Sequence, residues 1–200
     1  EHNGFKILYP SELEKDAQRM ANTFAHAYPA VGKSLREGKT TIPIVLQNQG
    51  TSSNGFVQLA PKKSQLYTIS PQQFDSQDWL NNLTVHELRH VAQFNKLTGK
   101  SGFPFPEEIY FGYIGASTPL WFLEGDAVST ETALTYSGRG RQPNWIMPFR
   151  TSLLEGKKFA YSKAYFGSEK DITPGYYQLG YLMNSLLQKE YGTDIGNQLL

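Results

Sequence analysis

Apolar residues recur at helical spacing in the first part of the chain and predict a helix over residues 11–28. The apolar positions are Leu13, Ala17, Met20, Phe24 and Tyr28. Ser11 and Glu14 fit a capping box, in which each side chain bonds a backbone N–H of the first helical turn. Pro29 follows the last apolar position and is predicted to end the helix.

Three segments after this helix have the composition of strands and are separated by turn-forming residues. They span residues 40–47, 55–61 and 64–70, and their spacers are "NQGTSSNG" and "KK". The spacer residues Gly, Asn and Ser suit turns. The first third of the chain is therefore predicted to be one helix and a small sheet.

Helical periodicity returns at Asp78 and continues to about Leu97, where Thr98 and Gly99 supply a stop signal. Residues 99–117 are rich in glycine, proline and aromatic residues, and are predicted to be loop or short helical turns. The next two helices each open with a Thr-Pro pair, in which the threonine is the N-cap and the proline the first helical residue.

These two helices are predicted over residues 119–136, with Thr118 as N-cap, and 174–191, with Thr173 as N-cap. "SGRGR" breaks the first, and Gly192 caps the second. The second half is thus almost wholly helical. We predict an α+β fold in a single domain, with an αβ lobe over about 1–77 and a helical lobe over about 78–200.

Composition limits the classes of partner. The chain has 200 residues, 39% of them hydrophobic, which is enough to bury the core of one substantial domain. Lysine and arginine total 19 against 18 acidic residues, and a net charge of +1 gives no electrostatic case for binding nucleic acid or an anionic membrane. No apolar run approaches the roughly 20 residues of a membrane span. There is no cysteine, so any metal must be held by histidine and carboxylate.

Both ends of the sequence are abrupt. It begins with Glu1 and not methionine, which we interpret as removal of a preceding segment, either by a signal peptidase, which would indicate a secretory origin, or by deliberate truncation. It ends directly after an apolar pair at Leu200, and we expect that the natural protein continues.

The segment "LTVHELRHVAQ" (83–93) contains the candidate chemistry. On a helix, His86 and His90 are one turn apart on the same face, so both imidazoles can reach one ion. Glu87 lies about 100° around the helix, where it can hold a water without facing the metal. HExxH is the sequence form of a zinc site with its own general base. By chance, roughly 0.005 such matches are expected in a chain of this composition.

A third ligand must come from another segment. Glu124, in "PLWFLEGDAVSTE", is the best candidate, because Gly125 leaves room for two helix backbones to approach closely. Glu131 is two turns further along the same face and could hydrogen-bond a ligating histidine. The alternative interpretation of Glu124 is a solvated carboxylate at a helix start. His2 and His26 are upstream histidines, and His26 is interpreted as a half-buried packing residue of the first helix.

HELRH followed by a W-F-x-E-G segment resembles the gluzincin metallopeptidases, the group that includes thermolysin and the M1 aminopeptidases. More narrowly, the chain resembles gluzincin-like domains of secreted bacterial proteins, some of which carry a β-propeller downstream. The similarity runs from about Ile42 to Tyr191. Its strongest points are His86, Glu87, His90, Trp121, Glu124 and Gly125.

The resemblance implies that His86, His90 and Glu124 bind Zn²⁺, that Glu87 is the general base and that Glu131 supports a ligand. It also implies a zincin-like fold with an active-site cleft between the lobes, a peptide or protein substrate, and an extracytoplasmic (periplasmic, cell-surface or secreted) location in a bacterium.

Gluzincins also carry a group that stabilises the tetrahedral oxyanion, and "YYQLGY" (176–181) matches the Y-x-x-G setting of the M1 branch. By that resemblance Tyr177, with Gly180 three residues on, is the candidate. Tyr176 and Tyr181 are rivals, and all three tyrosines could instead be packing residues. No histidine follows His90, so the oxyanion-binding histidine of thermolysin has no match, and no G-x-M-E-N-type motif supports exopeptidase activity.

Three further features have open interpretations. The segment "NGFVQLAP" (54–61) resembles the edge strand that pairs with substrate in these peptidases, or it is an ordinary hairpin strand. Arg139 and Arg141 could clamp a substrate carboxylate or belong to a solvated turn. Asp126 either supports the site or is a helix-start charge.

Two functions follow from the sequence. The first is a zinc-dependent peptidase in which Glu87 deprotonates a water that attacks the peptide carbonyl. The alternative is a non-catalytic domain that keeps the zincin fold and binds peptide or glycan, or acts as a scaffold.

Overall fold

The computed structural model describes residues 5–38, 40, 42–59, 61–71, 78–99 and 107–200. The chain has an α+β fold, as predicted, with a small mixed sheet and a mainly helical second half. The strands are β1 (Lys6–Leu8), β2 (Pro43–Gln47), β3 (Gly55–Leu59) and β4 (Lys62–Tyr67). The helices are α1 (Glu14–Lys33), α2 (Trp79–Gly99), α3 (Glu107–Ser117), α4 (Leu120–Leu134), α5 (Pro143–Leu154), α6 (Tyr161–Phe166), α7 (Gly175–Tyr191) and α8 (Ile195–Leu199).

The sheet has the order β1-β2-β4-β3. β1 and β4 both pair in parallel with β2, and β3 pairs antiparallel with β4, with Gly55 opposite Leu66. β3 is therefore an edge strand. β1 was not predicted, because a three-residue strand is too short for its periodicity to be recognised.

The core lies between α1, α2 and the sheet. α1 contributes Met20 and Phe24, the sheet contributes Ile44 and Leu66, and α2 contributes Leu88, and all five are almost completely buried. Each such side chain gains about 1.5–3 kcal/mol on burial. Because one face of α2 is buried in this core, the backbone of α2 is held in place. The residues on its other faces therefore have fixed positions as well.

The predicted start of the first helix is wrong in detail. Ser11–Leu13 forms a 3-10 turn, α1 begins at Glu14, and no side chain caps either element. The Glu14 carboxylate accepts hydrogen bonds from the Tyr9 hydroxyl (2.5 Å) and from Gln18 (2.6 Å). The Glu14 carboxylate is therefore bound to the side chains of Tyr9 and Gln18 and does not complete a capping box with Ser11.

The predicted end of this helix at Pro29 is also wrong, because α1 continues through Pro29 to Lys33. A proline inside a helix loses one backbone hydrogen bond. Two completely buried residues beyond it, Val31 and Leu35, extend the packed face and offset that loss. The backbone oxygen of Val31 also accepts a hydrogen bond from Arg89 of α2 at 2.6 Å.

Other boundaries differ by less. Residues 107–117, predicted as loop or short turns, form the continuous helix α3, while 100–106 lie outside the described residues. Neither Thr118 nor Thr173 is an N-cap: Pro119 and Pro174 hold those positions without side-chain caps. Gly192 ends α7 with a φ of 90°, as predicted. No helix in the described part of the chain is long and apolar enough to cross a membrane.

α4 and α7 touch along their backbones. A Cβ on Gly125 would lie 2.1 Å from the carbonyl carbon of Gly180, and one on Gly180 would lie 2.0 Å from the backbone oxygen of Trp121. Only glycine at both positions allows this approach. The contact brings Glu124 of α4 near Tyr177, which lies one turn before Gly180 on α7.

Candidate metal centre

α2 supplies the two histidines of the candidate site. His86 and His90 are buried, and their rings meet edge to face with centroids 4.8 Å apart. Their Nε2 atoms lie 3.2 Å apart. The one-turn spacing thus places both imidazoles on the same face of the helix, as predicted from the sequence.

α4 adds the carboxylate of Glu124. Its Oε2 lies 3.1 Å from Nε2 of His86 and 3.3 Å from Nε2 of His90. The structure therefore brings the three predicted ligands together, and among the described residues they form the group that could hold a metal ion. His26 is exposed on α1, which contradicts its interpretation as a half-buried packing residue, and His2 lies outside the described residues.

The dimensions of this triangle fit a small tetrahedral ion. Bonds of about 2.05 Å at the tetrahedral angle place two ligand atoms about 3.3 Å apart. The three observed separations are 3.1, 3.2 and 3.3 Å. Two imidazole nitrogens and one carboxylate oxygen are also the donor set that zinc accepts where thiolates are absent.

The other ring nitrogen of His86 is held by an acidic side chain. Nδ1 of His86 lies 3.0 Å from Oε2 of Glu131, which is 2% exposed. Glu131 thus lies where the sequence predicted it, seven residues after Glu124 on the same face of α4. A carboxylate on Nδ1 fixes the ring orientation and leaves Nε2 for a metal.

Glu131 is itself held by Arg139, which donates to it from the backbone N (2.9 Å), Nε (2.9 Å) and Nη2 (2.8 Å). Burial alone would raise the pKa of Glu131, but the hydrogen bonds from Arg139 and His86 outweigh burial and lower it to about 2. Nη2 of Arg139 also lies 2.7 Å from Nδ1 of His86. This ring nitrogen therefore faces both the Glu131 carboxylate, which accepts hydrogen bonds, and the Arg139 guanidinium, which donates them.

These contacts revise the interpretation of the two arginines. Arg139 is neither in a solvated turn nor free to form a two-pronged clamp, since Nε and Nη2 are bound to Glu131. Arg141 donates from Nε to the backbone oxygen of Thr132 at 3.0 Å and therefore ties the turn to α4.

The other ring nitrogen of His90 is held by an amide. Nδ1 of His90 lies 2.8 Å from Oε1 of Gln93, and Nε2 of Gln93 donates to Asp126 at 2.7 Å. Burial alone lowers the pKa of His90, but the hydrogen bond to Glu124 and the charges of Glu124 and Glu87 raise it to about 9. Asp126 therefore lies behind the site and is not a helix-start charge.

Glu87 is buried beside the two histidines and beneath β3. Its Oε2 has no hydrogen-bond partner among the described residues. Burial raises the pKa of Glu87, and the nearby His90 and His86 offset this only in part. A Cβ on Gly55 of β3 would lie 3.0 Å from Cγ of Glu87, so glycine at this position lets the edge strand pass directly over the carboxylate.

Of the three candidate tyrosines, Tyr177 lies closest to the histidines. Its ring centroid is 6.3 Å from that of His86, and the Arg139 guanidinium lies 5.0 Å from the Tyr177 centroid. Burial and the charge of Glu124 raise the pKa of Tyr177. Tyr176 packs against Tyr177, and the Tyr181 ring packs against Gly140 and Trp145.

Two cavities meet at the site, and His86, Glu87 and Tyr177 line both. One, of about 290 Å³, has a lining that is slightly more polar than apolar, and its other lining residues include Ser53, Asn54, Asn82, Arg139 and Gln142. The other, of about 160 Å³, is mainly apolar and includes Phe56, Val57, Phe94, Leu120 and Leu123. The candidate site is thus the junction of a slightly polar and a mainly apolar cavity.

Sequence reasoning did not identify Gln93 and Arg89 as part of the site. Both belong to α2, and Gln93 is three residues after His90, a spacing that places it near that ring. This spacing could have indicated that Gln93 contacts His90, but a glutamine is equally common on a solvent-exposed helix face. Comparison with known protein families, curated proteins and solved structures found no match for the chain.

Proposed function

We propose that the chain is a zinc-dependent peptidase of the gluzincin type. The observation that carries this proposal is the convergence of His86, His90 and Glu124 from two helices to separations of 3.1–3.3 Å. All three atoms are acceptors when the histidines are neutral, so a cation between them removes their mutual repulsion. Zinc, when bound there, would polarise a carbonyl and lower the pKa of a water.

Glu87 is the general base of the proposed reaction. Its Oε2 is buried and has no protein partner among the described residues, so it is available to accept a proton from water. The raised pKa of Glu87 makes this carboxylate a stronger base than an exposed glutamate. The same carboxylate can then pass the proton to the leaving amine.

Tyr177 is proposed to donate a hydrogen bond to the oxyanion. Its raised pKa keeps the hydroxyl protonated at neutral pH, as a donor requires. The guanidinium of Arg139 packs on the tyrosine ring and holds it beside His86. One such donor contributes about 3–4 kcal/mol to stabilising the transition state.

A peptide is the substrate class that the cleft favours. β3 is an edge strand directly above Glu87, so an extended backbone can hydrogen-bond to it. The two cavities that meet at His86 and Glu87 can take side chains from both sides of the cleaved bond. The fold proposed here is zincin-like, and the location proposed is extracytoplasmic.

The proposal is tested with Glu87→Gln and His86→Ala. The wild-type chain is expected to bind one zinc ion and to cleave a denatured protein substrate. Glu87→Gln should keep the zinc and lose cleavage, because only the base is removed. His86→Ala should lose both. Unchanged turnover by Glu87→Gln would disprove the base, and one bound zinc without cleavage of a broad peptide library would favour the non-catalytic binding domain.

A further inference from the structure

A chain of hydrogen bonds connects His90 to the end of α1. Nδ1 of His90 lies 2.8 Å from Oε1 of Gln93, whose Nε2 donates to Oδ2 of Asp126 at 2.7 Å. Arg89 donates to the same carboxylate from Nε (2.6 Å) and Nη2 (2.9 Å), and from Nη1 to the backbone oxygen of Val31 (2.6 Å). These contacts link three helices behind one proposed metal ligand.

The orientation of the Gln93 amide follows from its partners. Its Nε2 lies 3.0 Å from the backbone oxygen of Leu123 as well as 2.7 Å from Asp126. A carbonyl and a carboxylate only accept hydrogen bonds, so both must face the NH₂ group. Oε1 is then left facing His90, and an oxygen there requires a proton on Nδ1 of the ring. Nε2 of His90 is thereby left for the metal.

Asp126 is held by Arg89 as a two-pronged pair. Arg89, Gln93 and Asp126 are each 2% exposed or less, so water does not compete for their hydrogen bonds. Gly196 of α8 lies against the pair: a Cβ added to it would be 3.8 Å from Nη2 of Arg89 and 4.0 Å from Oδ1 of Asp126. A charged carboxylate in this position cannot donate, and therefore Gln93 cannot turn its amide around.

We propose that Arg89, Asp126 and Gln93 are positioning residues that fix the ring orientation and the tautomer of His90 for metal binding. This inference rests on the proposed metal site but not on peptide hydrolysis. The two histidines are then held differently. His86 faces the carboxylate of Glu131 directly, whereas His90 faces a neutral amide that a charged pair holds from behind.

The test compares Gln93→Met with Asn184→Leu. Methionine has nearly the same volume as glutamine but offers His90 no oxygen. Asn184 is a matched control, because it is a buried amide that donates to the backbone oxygens of Phe122 and Gly180, away from His90. The measurements are the zinc dissociation constant, by competition with a chelator, and the Nδ1–H signal of His90 in ¹⁵N NMR of the zinc-loaded protein.

Gln93→Met is expected to bind zinc about 10- to 100-fold more weakly and to lose the protected Nδ1–H signal. Asn184→Leu should keep both wild-type properties. If Gln93→Met does not fold, Asp126→Asn replaces it. Asparagine can present an NH₂ group to Gln93 and releases the amide orientation, so zinc binding should weaken in the same direction.

A folded Gln93→Met with the wild-type zinc affinity and Nδ1–H signal would overturn the inference and leave the peptidase proposal intact. If Gln93→Met binds zinc more weakly and the zinc-loaded wild-type chain cleaves no peptide, the inference is supported and the peptidase proposal is contradicted. A wild-type chain that binds no zinc would overturn both.

Discussion

Replacing Glu131 by glutamine tests whether a buried charge supports the site. The Glu131 carboxylate accepts three hydrogen bonds from Arg139 and contacts Nδ1 of His86, and its side chain is 2% exposed. The variant keeps the size of the side chain and removes its charge. The half-buried guanidinium of Arg139 then loses its ionic partner, which is the costly way to break such a pair.

The magnitude follows from the pKa of Glu131, which falls from its usual 4.5 to about 2 in the folded protein. At about 1.4 kcal/mol per pKa unit, this difference corresponds to roughly 3 kcal/mol of folding free energy. A lowered pKa gives stability that is fully present above about pH 4.5 and is lost as the pH falls toward 2. By about pH 3.5, on the order of 1 kcal/mol of it should be gone.

The assay is urea unfolding of the metal-free protein between about pH 7 and pH 3.5, in the presence of a chelator. Glu131→Gln should be less stable than wild type by about 3 kcal/mol at pH 7, and the gap should narrow to about 2 kcal/mol at pH 3.5. The control is Glu155→Gln, which breaks an exposed pair with Lys157 (3.5 Å) and should change little.

The conclusion that the carboxylate is held as a buried ion would be refuted by either of two results. One is a difference in unfolding free energy between wild type and Glu131→Gln that stays constant over this pH range, and the other is a difference below about 1 kcal/mol at pH 7. In the zinc-binding assay the same variant should bind about 10- to 100-fold more weakly, because the His86 ring loses its charged acceptor.

Three further predictions follow. Gly125→Ala should destabilise the protein by about 3 kcal/mol or more in the same unfolding assay, because its Cβ would meet the backbone of α7 at 2.1 Å. The control is Gly115→Ala on α3, which has open space around it in the described structure and should be neutral or slightly stabilising. Tyr177→Phe should keep zinc and lower kcat about 100- to 1000-fold on a peptide substrate, while the kcat of Tyr176→Phe should stay near wild type. An equal decrease of kcat in both variants would contradict the oxyanion role of Tyr177. The metal-free protein should lose stability as the pH rises from 6.5 through about 9, where the folded-state pKa of His90 lies, and saturating zinc should abolish that loss. An equal decrease of the unfolding free energy with pH in the zinc-bound protein would contradict ligation by His90.

The site illustrates how far spacing along the chain predicts position in space. His86 and His90 are one turn apart on one helix, so the periodicity of that helix alone determines that they share a face. The same reasoning predicted that Glu131 would follow Glu124 on one face of α4. Both pairs lie as predicted, because a helix converts sequence separation into direction without reference to the rest of the fold.

Contacts between elements did not follow from spacing. The sequence offered Arg139 as a substrate clamp or as part of a solvated turn, and the structure instead directs its guanidinium to Glu131. Asp126 was ambiguous because its partners, Arg89 and Gln93, belong to a different helix. The continuation of α1 past Pro29 was missed for the same reason, since packing against distant elements stabilises it. The strand β1 was missed because its three residues are too few to show a period.

The sequence by itself determined the α+β class, the periodic face of α2 and the types of ligand that the chain can offer, because these depend on local geometry and on the chemistry of single residues. Only the tertiary structure decided that Glu124 meets both histidines and that two different acceptors hold their rings. Those contacts depend on the close approach of α4 to α7 and on the burial of α2 against α1 and the sheet, and the free energies that fix them come from residues far apart along the chain.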